Sequence, residues 1–189
     1  MDILVTRFIA THGTAILARE RRNELLQRLP EWLVDEAADF DDGIRDMQPD
    51  EIALVMENGA VYAKEYFEFG IFEALFQMSK ELRCGLVTNI RDIPIRQETV
   101  EVCEALDANP YSMFSGHSVV IVAEDGLKIK RILDGAGISS NIVGYTTRNN
   151  DKIVVNGDES GFLQHIRKDE LKNILGRKDY YERTNFVNS

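Results

Sequence analysis

Hydrophobic and polar residues alternate along most of the chain with spacings typical of strands and helices. The apolar, β-branched segment 3–10 predicts a strand, and the helix formers of 15–27 predict a helix after it. A third segment, 51–63, has nearly helical spacing and predicts a second helix. The clearest helix is predicted from Gly70 to Leu82, because its apolar residues recur every three or four positions.

The rest of the chain continues this alternation. Further strands are predicted over 86–90, 118–123, 141–147 and 152–156, and further helices over 98–106 and 127–136. Asn149-Asn150 predicts a turn that joins the last two strands as a hairpin. The acidic stretch 35–50 predicts a linker or a solvated helix face, and 157–189 a helical or flexible tail. The expected fold is α/β (α+β), with helices layered on a mixed sheet.

Composition and charge exclude several classes of protein. The 189 residues are 44% hydrophobic, enough for a buried core, but no apolar run reaches the length of a membrane span. The net charge of −10 disfavours nucleic acid as a partner. Cys84 and Cys103 are the two cysteines, and no pair of ligands has metal-site spacing, so we expect no metal site and no disulfide. An acidic N-terminus without signal-peptide features favours a cytoplasmic location.

One candidate ligand loop lies where the first predicted strand meets the first helix. His12 and Gly13 occupy this junction, where backbone N–H groups at a helix start suit a phosphate or carboxylate. The simpler interpretation is that Thr11 caps the helix and His12 packs nearby.

Two other loops carry candidate residues. Glu68 precedes Gly70, which opens the strongest helix, although acids are favoured at helix starts whatever the function. Ser115, Gly116 and His117 form a small polar loop before a buried strand, where glycine permits close approach of a ligand. A turn that serves only the fold explains this loop equally well.

Several segments occur together in a familiar order. They are Ile3-Leu4-Val5, His12-Gly13-Thr14-Ala15-Ile16-Leu17, Gly70-Ile71-Phe72-Glu73-Ala74-Leu75, Ile93-Pro94-Ile95-Arg96, Val102-Cys103-Glu104-Ala105-Leu106, Asn109-Pro110, Ser115-Gly116 before Val119-Val120-Ile121-Val122, and Gly137-Ile138 before Ile142-Val143-Gly144-Tyr145-Thr146. Over residues 2–156 this order resembles the C-terminal domain of the aminoimidazole ribonucleotide (AIR) synthetase superfamily, closest to its hydrogenase-maturation branch, HypE.

The resemblance implies an ATP-dependent activity with magnesium. Family enzymes carry an N-terminal domain with the ATP and magnesium site, and nothing in this sequence corresponds to that domain, so we expect no cofactor in this chain alone. The resemblance makes Glu68 the candidate catalytic residue. It makes His12, Gly13, Gly70, Ser115, Gly116 and His117 candidates for binding an anionic ligand or phosphate.

Two departures from the family pattern bear on activity. The family's Asp-Pro-Thr-x-Gly-Gly loop near the phosphates reads Glu65-Tyr66-Phe67-Glu68-Phe69-Gly70 here, which loses the threonine and one glycine. HypE ends in a reactive cysteine, whereas this sequence ends in Ser189.

Two classes of function therefore stand. In the first, the chain is a substrate-side domain that is inactive without an ATP-binding half, which would be its partner. In the second, it is a non-catalytic ligand-binding or assembly domain, with a homo-oligomer as one outcome. Self-association would use exposed aromatics, for which the candidates are Trp32, Phe67, Phe69 and Phe72.

Overall fold

The computed structural model describes residues 1–40, 47–65, 69–166 and 168–176. Within these residues the strands are β1 (Asp2–Thr6), β2 (Ala60–Glu65), β3 (Gly85–Asn89), β4 (Val119–Ala123), β5 (Ser140–Thr147), β6 (Lys152–Asn156) and β7 (Glu159–Phe162). The helices are α1 (Thr11–Glu20), α2 (Arg22–Leu25), α3 (Glu31–Ala38), α4 (Pro49–Glu57), α5 (Gly70–Leu82), α6 (Gln97–Ala105), α7 (Gly126–Gly135) and α8 (Glu170–Leu175). The described residues contain no helix that is both long and apolar enough to cross a bilayer.

All seven strands belong to one sheet, in the order β2-β4-β1-β5-β3-β6-β7. Strands β3 and β6 run parallel, and every other neighbouring pair is antiparallel. The predicted mixed sheet layered with helices is therefore confirmed.

The central strands bury side chains on both faces of the sheet. Ile3 and Val5 of β1 join the larger apolar core, and Leu4 between them joins the smaller one. The helices that contribute to the larger core are α1, α2, α3, α5, α6 and α8, and those that contribute to the smaller core are α4 and α7. Burial on both faces explains why β1 and β4 are almost continuously apolar.

Two predicted elements are wrong. The helix predicted over 51–63 ends at Glu57, because Gly59 adopts φ 109° and the chain then forms β2, which pairs with β4. The hairpin predicted at Asn149-Asn150 does not form, since β3 lies between β5 and β6 in the sheet. In both cases the conformation depends on a strand that is distant in sequence, β4 in the first case and β3 in the second. The local spacing of apolar residues does not indicate such a partner.

The bounds of several other elements differ from the predicted ones. The predicted strand 3–10 stops at Thr6, because Arg7 and Ala10 take φ near 60°, and α1 begins earlier than expected, at Thr11. Part of the predicted acidic linker is the end of α3 and the start of α4, while 41–46 lie outside the described residues. Strand β7 lies within the predicted tail.

Among the described residues, no helix covers the half of the sheet formed by the end of β5 with β3, β6 and β7 on the α7 side. Register places Tyr145, Val87, Ile153 and Phe162 side by side across β5, β3, β6 and β7 on that face. Tyr145 is 52% exposed and Phe162 is 74% exposed. This uncovered sheet half is apolar and carries no charge among those four side chains.

Candidate functional site

The chain turns sharply between β1 and α1. Arg7 and Ala10 both lie in the left-handed region, with φ 58° and 59°. Ala10 precedes the first residue of α1 and provides no side-chain cap. The hydroxyl of Thr11 donates to the Ser115 carbonyl at 3.3 Å instead of capping its own helix. The start of α1 is therefore held by another segment of the chain.

That segment is 113–118, which packs against the first turn of α1. The Gly13 N–H donates to the Phe114 carbonyl at 3.0 Å, and the Ala10 N–H donates to Ser115 Oγ at 3.1 Å. The His12 N–H points to the Ser115 carbonyl at 3.5 Å. An anion bound here would therefore need donors other than these N–H groups.

Glycine permits the close contact between these two segments. A Cβ at Gly13 would lie 2.5 Å from Met113 Cγ and 2.9 Å from the Phe114 carbonyl oxygen. Gly116 adopts φ 58° and approaches the Cβ of His12, and His117 beside it also adopts a positive φ. Five of the predicted site residues, His12, Gly13, Ser115, Gly116 and His117, thus come together.

A cleft of about 410 Å³ opens beside this junction. Its lining residues are Arg7, Phe8, Thr11, Phe40, Arg96, Gly116, His117, Ala136, Gly137, Ile138 and Ser139. Two arginines and no carboxylate line the described part of the cleft, although the whole chain is acidic. A lining of this kind favours an anionic ligand. We call this feature the arginine cleft.

Arg7 is fixed in the arginine cleft by backbone contacts. Its Nη1 donates to the His117 carbonyl at 2.7 Å, and its own N–H donates to the Ser139 carbonyl at 2.8 Å. The imidazoles of His12 and His117 lie nearby, with ring centroids 6.3 Å apart, and His12 meets the Phe114 ring edge-on at 4.7 Å. These contacts join Arg7 to the loop that carries His117.

Arg96 is held by two carboxylates and two aromatic rings. Its Nη2 lies 2.9 Å from Glu36 Oε1, and its Nε lies 3.2 Å from Glu98 Oε2. The guanidinium carbon lies 5.7 Å from the Phe8 ring centroid and 4.8 Å from that of Phe40. Burial alone would raise the pKa of Glu98, but hydrogen bonds from Arg96 outweigh it and lower that pKa. Glu98 is therefore ionised at neutral pH.

The other predicted residues lie at the start of α5. Gly70 adopts φ 71°, and a Cβ there would lie 2.5 Å from the Tyr111 carbonyl oxygen and 2.7 Å from Met113 N. Glu68, the predicted catalytic residue, lies outside the described residues. The 110–113 segment continues directly into the segment that packs on α1, but Gly70 is absent from the lining of the arginine cleft.

Carboxylates already occupy the start of α5. The Phe69 N–H donates to Asp169 Oδ2 at 3.1 Å, and Asp169 is 2% exposed. In the first turn, buried Glu73 accepts from the Ile166 N–H at 3.0 Å and lies 3.1 Å from His165 Nε2. The described residues form no group of three or more histidines, cysteines or carboxylates suited to a metal.

Sequence reasoning missed the two arginines. Arg7 and Arg96 are separated by 89 positions, and no local pattern indicates that they share a cleft. The sequence pointed to this site only indirectly, because two of the predicted polar loops, at 12–13 and 115–117, lie beside it.

The fold is that of enzymes about twice as long as this chain. No protein-family model and no curated protein matches the sequence. Among solved structures, E. coli HypE, a hydrogenase maturation protein, matches with a TM-score of 0.67 and 15% identity, over 92% of this chain and 51% of that one. Thiamine-monophosphate kinase from Stenotrophomonas maltophilia K279a matches with a TM-score of 0.60 and 10% identity, over 85% and 50%.

A third match is the HypE–HypF complex, with a TM-score of 0.66 and 16% identity, over 86% of this chain and 52% of that one. The chain thus spans about half the length of the structures that it matches. The predicted likeness to HypE is confirmed at the level of the fold. At these identities the likeness does not extend to activity.

Proposed function

We propose that this chain is the substrate-side domain of an ATP-dependent enzyme resembling HypE or thiamine-monophosphate kinase. In this proposal the chain is inactive without an ATP-binding half. The observation that carries it is the arginine cleft, where two predicted polar loops meet Arg7 and Arg96. The match to about half of each longer enzyme supports a partner half.

The residues of the cleft have distinct roles in this proposal. Arg7 supplies positive charge for an anionic small molecule, and its contacts with the His117 and Ser139 carbonyls hold it beside the cleft. Arg96 supplies a second donor and is positioned by Glu36 and Glu98. His117 and Gly116 form the wall of the cleft next to Arg7.

The start of α5 does not fit the phosphates of ATP. The Asp169 carboxylate accepts the Phe69 N–H, and Glu73 places a second buried carboxylate in the same turn, so a phosphate there would meet negative charge. We therefore assign ATP and magnesium to the partner half and derive no step through them here. Glu68 remains our proposed catalytic residue, as a group that orients a proton or a water.

Calorimetry on the isolated chain tests this proposal. We expect weak one-to-one binding of inorganic phosphate, lost in Arg7→Gln and retained in the control Arg148→Gln, which removes an exposed arginine outside the cleft lining. Equal binding by Arg7→Gln would contradict the assigned site. We also expect no hydrolysis of magnesium-ATP by the chain alone, and turnover that disappears in Glu68→Gln would contradict the need for a partner half.

The uncovered sheet half favours a second candidate function, a non-catalytic assembly domain. Its exposed residues are Tyr145 and Phe162. Of the predicted aromatics, Trp32 is 64% exposed but lies on α3, Phe69 and Phe72 are half-buried at the start of α5, and Phe67 lies outside the described residues. An uncharged face avoids the repulsion that a net charge of −10 imposes on two copies elsewhere. A second copy is thus the proposed occupant. Analytical ultracentrifugation tests this candidate function. A dimeric wild type that becomes monomeric in Phe162→Ser would support it, and a monomeric wild type would contradict it.

We place the protein in the cytoplasm in both cases. Cys84 and Cys103 are free thiols in the structure, which suits a reducing compartment. The acidic charge makes nucleic acid an unsuitable partner in this proposal.

A further inference from the structure

Two asparagines in the chain precede a glycine, Asn58 and Asn156. An asparagine loses its side-chain amide most readily in this dipeptide, because glycine has no Cβ to shield its own backbone nitrogen. That nitrogen can then attack the carbonyl carbon of the asparagine side chain. The surroundings of the two pairs therefore decide which of them reacts in the folded protein.

The Asn58-Gly59 pair is restrained at both reacting groups. Asn58 is the C-cap of α4, and its Nδ2 donates to the Leu54 carbonyl at 2.9 Å. The Gly59 N–H donates to the Met56 carbonyl at 3.2 Å. Attack would break the hydrogen bonds of both the leaving amide and the attacking nitrogen, so the fold protects this pair.

The Asn156-Gly157 pair lies at the tip of the hairpin that β6 forms with β7. Asn156 pairs with Glu159 as the last rung of this hairpin, and Gly157 adopts φ 62° in the two-residue turn between them. Residues 156–162 are all exposed. Within the described ranges the Gly157 N–H donates no hydrogen bond. The attacking nitrogen is therefore available, and opening a single rung frees the side chain to turn towards it.

Arg91, which follows β3, contacts this second pair. Its Nε donates to Asn156 Oδ1 at 3.3 Å, and a Cβ at Gly157 would lie 2.7 Å from its Nη2. Negative charge develops on Oδ1 when the Gly157 nitrogen attacks, and a cationic donor at that oxygen stabilises the charge. The same guanidinium then lies beside the carboxylate that the reaction produces.

We infer that Asn156 is a site of spontaneous deamidation in the folded protein, and that Arg91 assists the reaction. The Gly157 nitrogen gives up its proton and forms a bond to Asn156 Cγ, and the Cγ–Nδ2 bond breaks as ammonia leaves with that proton. Water then opens the cyclic imide at either carbonyl, which gives aspartate or isoaspartate at position 156. Both products add a negative charge beside Arg91, and isoaspartate also adds a methylene group to the main chain at the end of β6.

Neither the arginine cleft nor the uncovered sheet half takes part in this chemistry. Deamidation at Asn156 therefore stands or fails separately from the proposed function. The Asn58-Gly59 pair provides an internal control, because it has the same two reacting residues in a different hydrogen-bonded setting.

Peptide mapping by mass spectrometry on the purified, folded chain in mildly alkaline buffer tests the inference. Trypsin places the two asparagines on separate peptides, 46–64 and 153–167, each without another asparagine. We expect Asn156 to deamidate on the order of tenfold faster than Asn58, the factor that one ordinary hydrogen bond would give. In urea the two rates should converge. Equal rates in the folded chain would overturn the inference, and so would the same difference in urea.

A substitution at Arg91 tests its part in the reaction. Arg91→Gln should slow the deamidation of Asn156 roughly threefold to tenfold, since a charge-assisted bond at an exposed site is worth less than one in a closed active site. Arg148→Gln, which removes an exposed arginine before β6, is the control and should keep the rates of the wild type. Matching urea midpoints would show that both variants are folded. An unchanged or faster rate in Arg91→Gln would contradict the assistance by Arg91.

Discussion

Helices α1 and α5 begin with nearly the same backbone. Ala10 precedes α1 with φ 59° and ψ 9°, and Phe69 precedes α5 with φ 63° and ψ 8°. Neither residue provides a side-chain cap. Each helix start also uses a glycine to approach the 111–114 segment, Gly13 for α1 and Gly70 for α5. Geometry alone would make them equal candidates for an anion site.

Their electrostatic surroundings are opposite. Beside α1 the chain places Arg7 and Arg96 around a cleft whose described lining holds no carboxylate, while Glu36 and Glu98 pair with Arg96 behind that lining. At α5 it places the buried carboxylates of Asp169 and Glu73, and Asp169 already accepts the Phe69 N–H. A helix start therefore indicates an anion site only when its neighbours do not supply the negative charge themselves.

The largest expected effect concerns the two glycines. Gly70→Ala should lower the free energy of unfolding by roughly 2–5 kcal/mol, because it adds left-handed strain to overlap with backbone atoms. Gly13→Ala should cost less, since its closest contact is the flexible Met113 side chain. Gly137→Ala, with the same sign of φ and open space, is the control for strain alone. Urea unfolding measures all three, and a larger loss for Gly13→Ala would contradict this ranking.

A smaller effect is expected at the carboxylate of α5. Asp169→Asn replaces one acceptor by a donor, so either the Phe69 N–H or the Leu171 N–H loses its partner. The free energy of unfolding should fall by roughly 1–3 kcal/mol. Asp125→Asn at the exposed start of α7 is the matched control, because Asp125 accepts one N–H there, and should cost less. Equal losses would show that Asp169 is only an ordinary cap.

The smallest effect concerns acid pH at the arginine cleft. Since the folded pKa of Glu98 lies below its ordinary 4.5, the unfolded state binds its proton first as pH falls. The stabilisation is thus complete above about pH 4.5 and is lost as pH falls through the lowered pKa. Glu98→Gln should lose roughly 0.5–1 kcal/mol at pH 7, and its difference from the wild type should shrink as pH falls below about 4.5.

The control for this pH dependence is Glu104→Gln, which changes an exposed acid on the same helix. Its free energy of unfolding should stay close to that of the wild type from pH 7 to pH 3. A loss at pH 7 equal to that of Glu98→Gln would assign the effect to general charge and not to the Arg96 contact.

The spacing of apolar residues correctly predicted elements that this spacing alone defines. The apolar stripe of Gly70–Leu82 became α5 with the predicted bounds, and the apolar run before Ala123 became β4. Patterns failed where a distant partner decides the conformation. Residues 60–63 have helical spacing but pair with β4, and β3 separates the two strands that Asn149-Asn150 was predicted to join.

The candidate site was predictable only in part. The helix start at His12-Gly13 and the glycine-containing polar loop Ser115-Gly116-His117 were each predicted as candidate sites, and the structure shows that they pack together. No local sequence pattern indicates that Arg7 and Arg96 line one cleft. That cleft forms only when the end of β1, the start of α6 and the 113–118 segment come together in the fold. The carboxylate of Asp169 at α5 is equally distant in sequence, 100 positions from Phe69.

The most direct test compares the two helix starts in one experiment. Amide signals of a ¹⁵N-labelled chain would be followed by NMR during titration with inorganic phosphate. We predict saturable shifts at Gly116, His117 and Ser139 around the arginine cleft, with Phe69 and Gly70 unchanged. Saturable chemical-shift changes at Phe69 and Gly70, without changes at the cleft residues, would contradict this assignment and place the anion site at the start of α5.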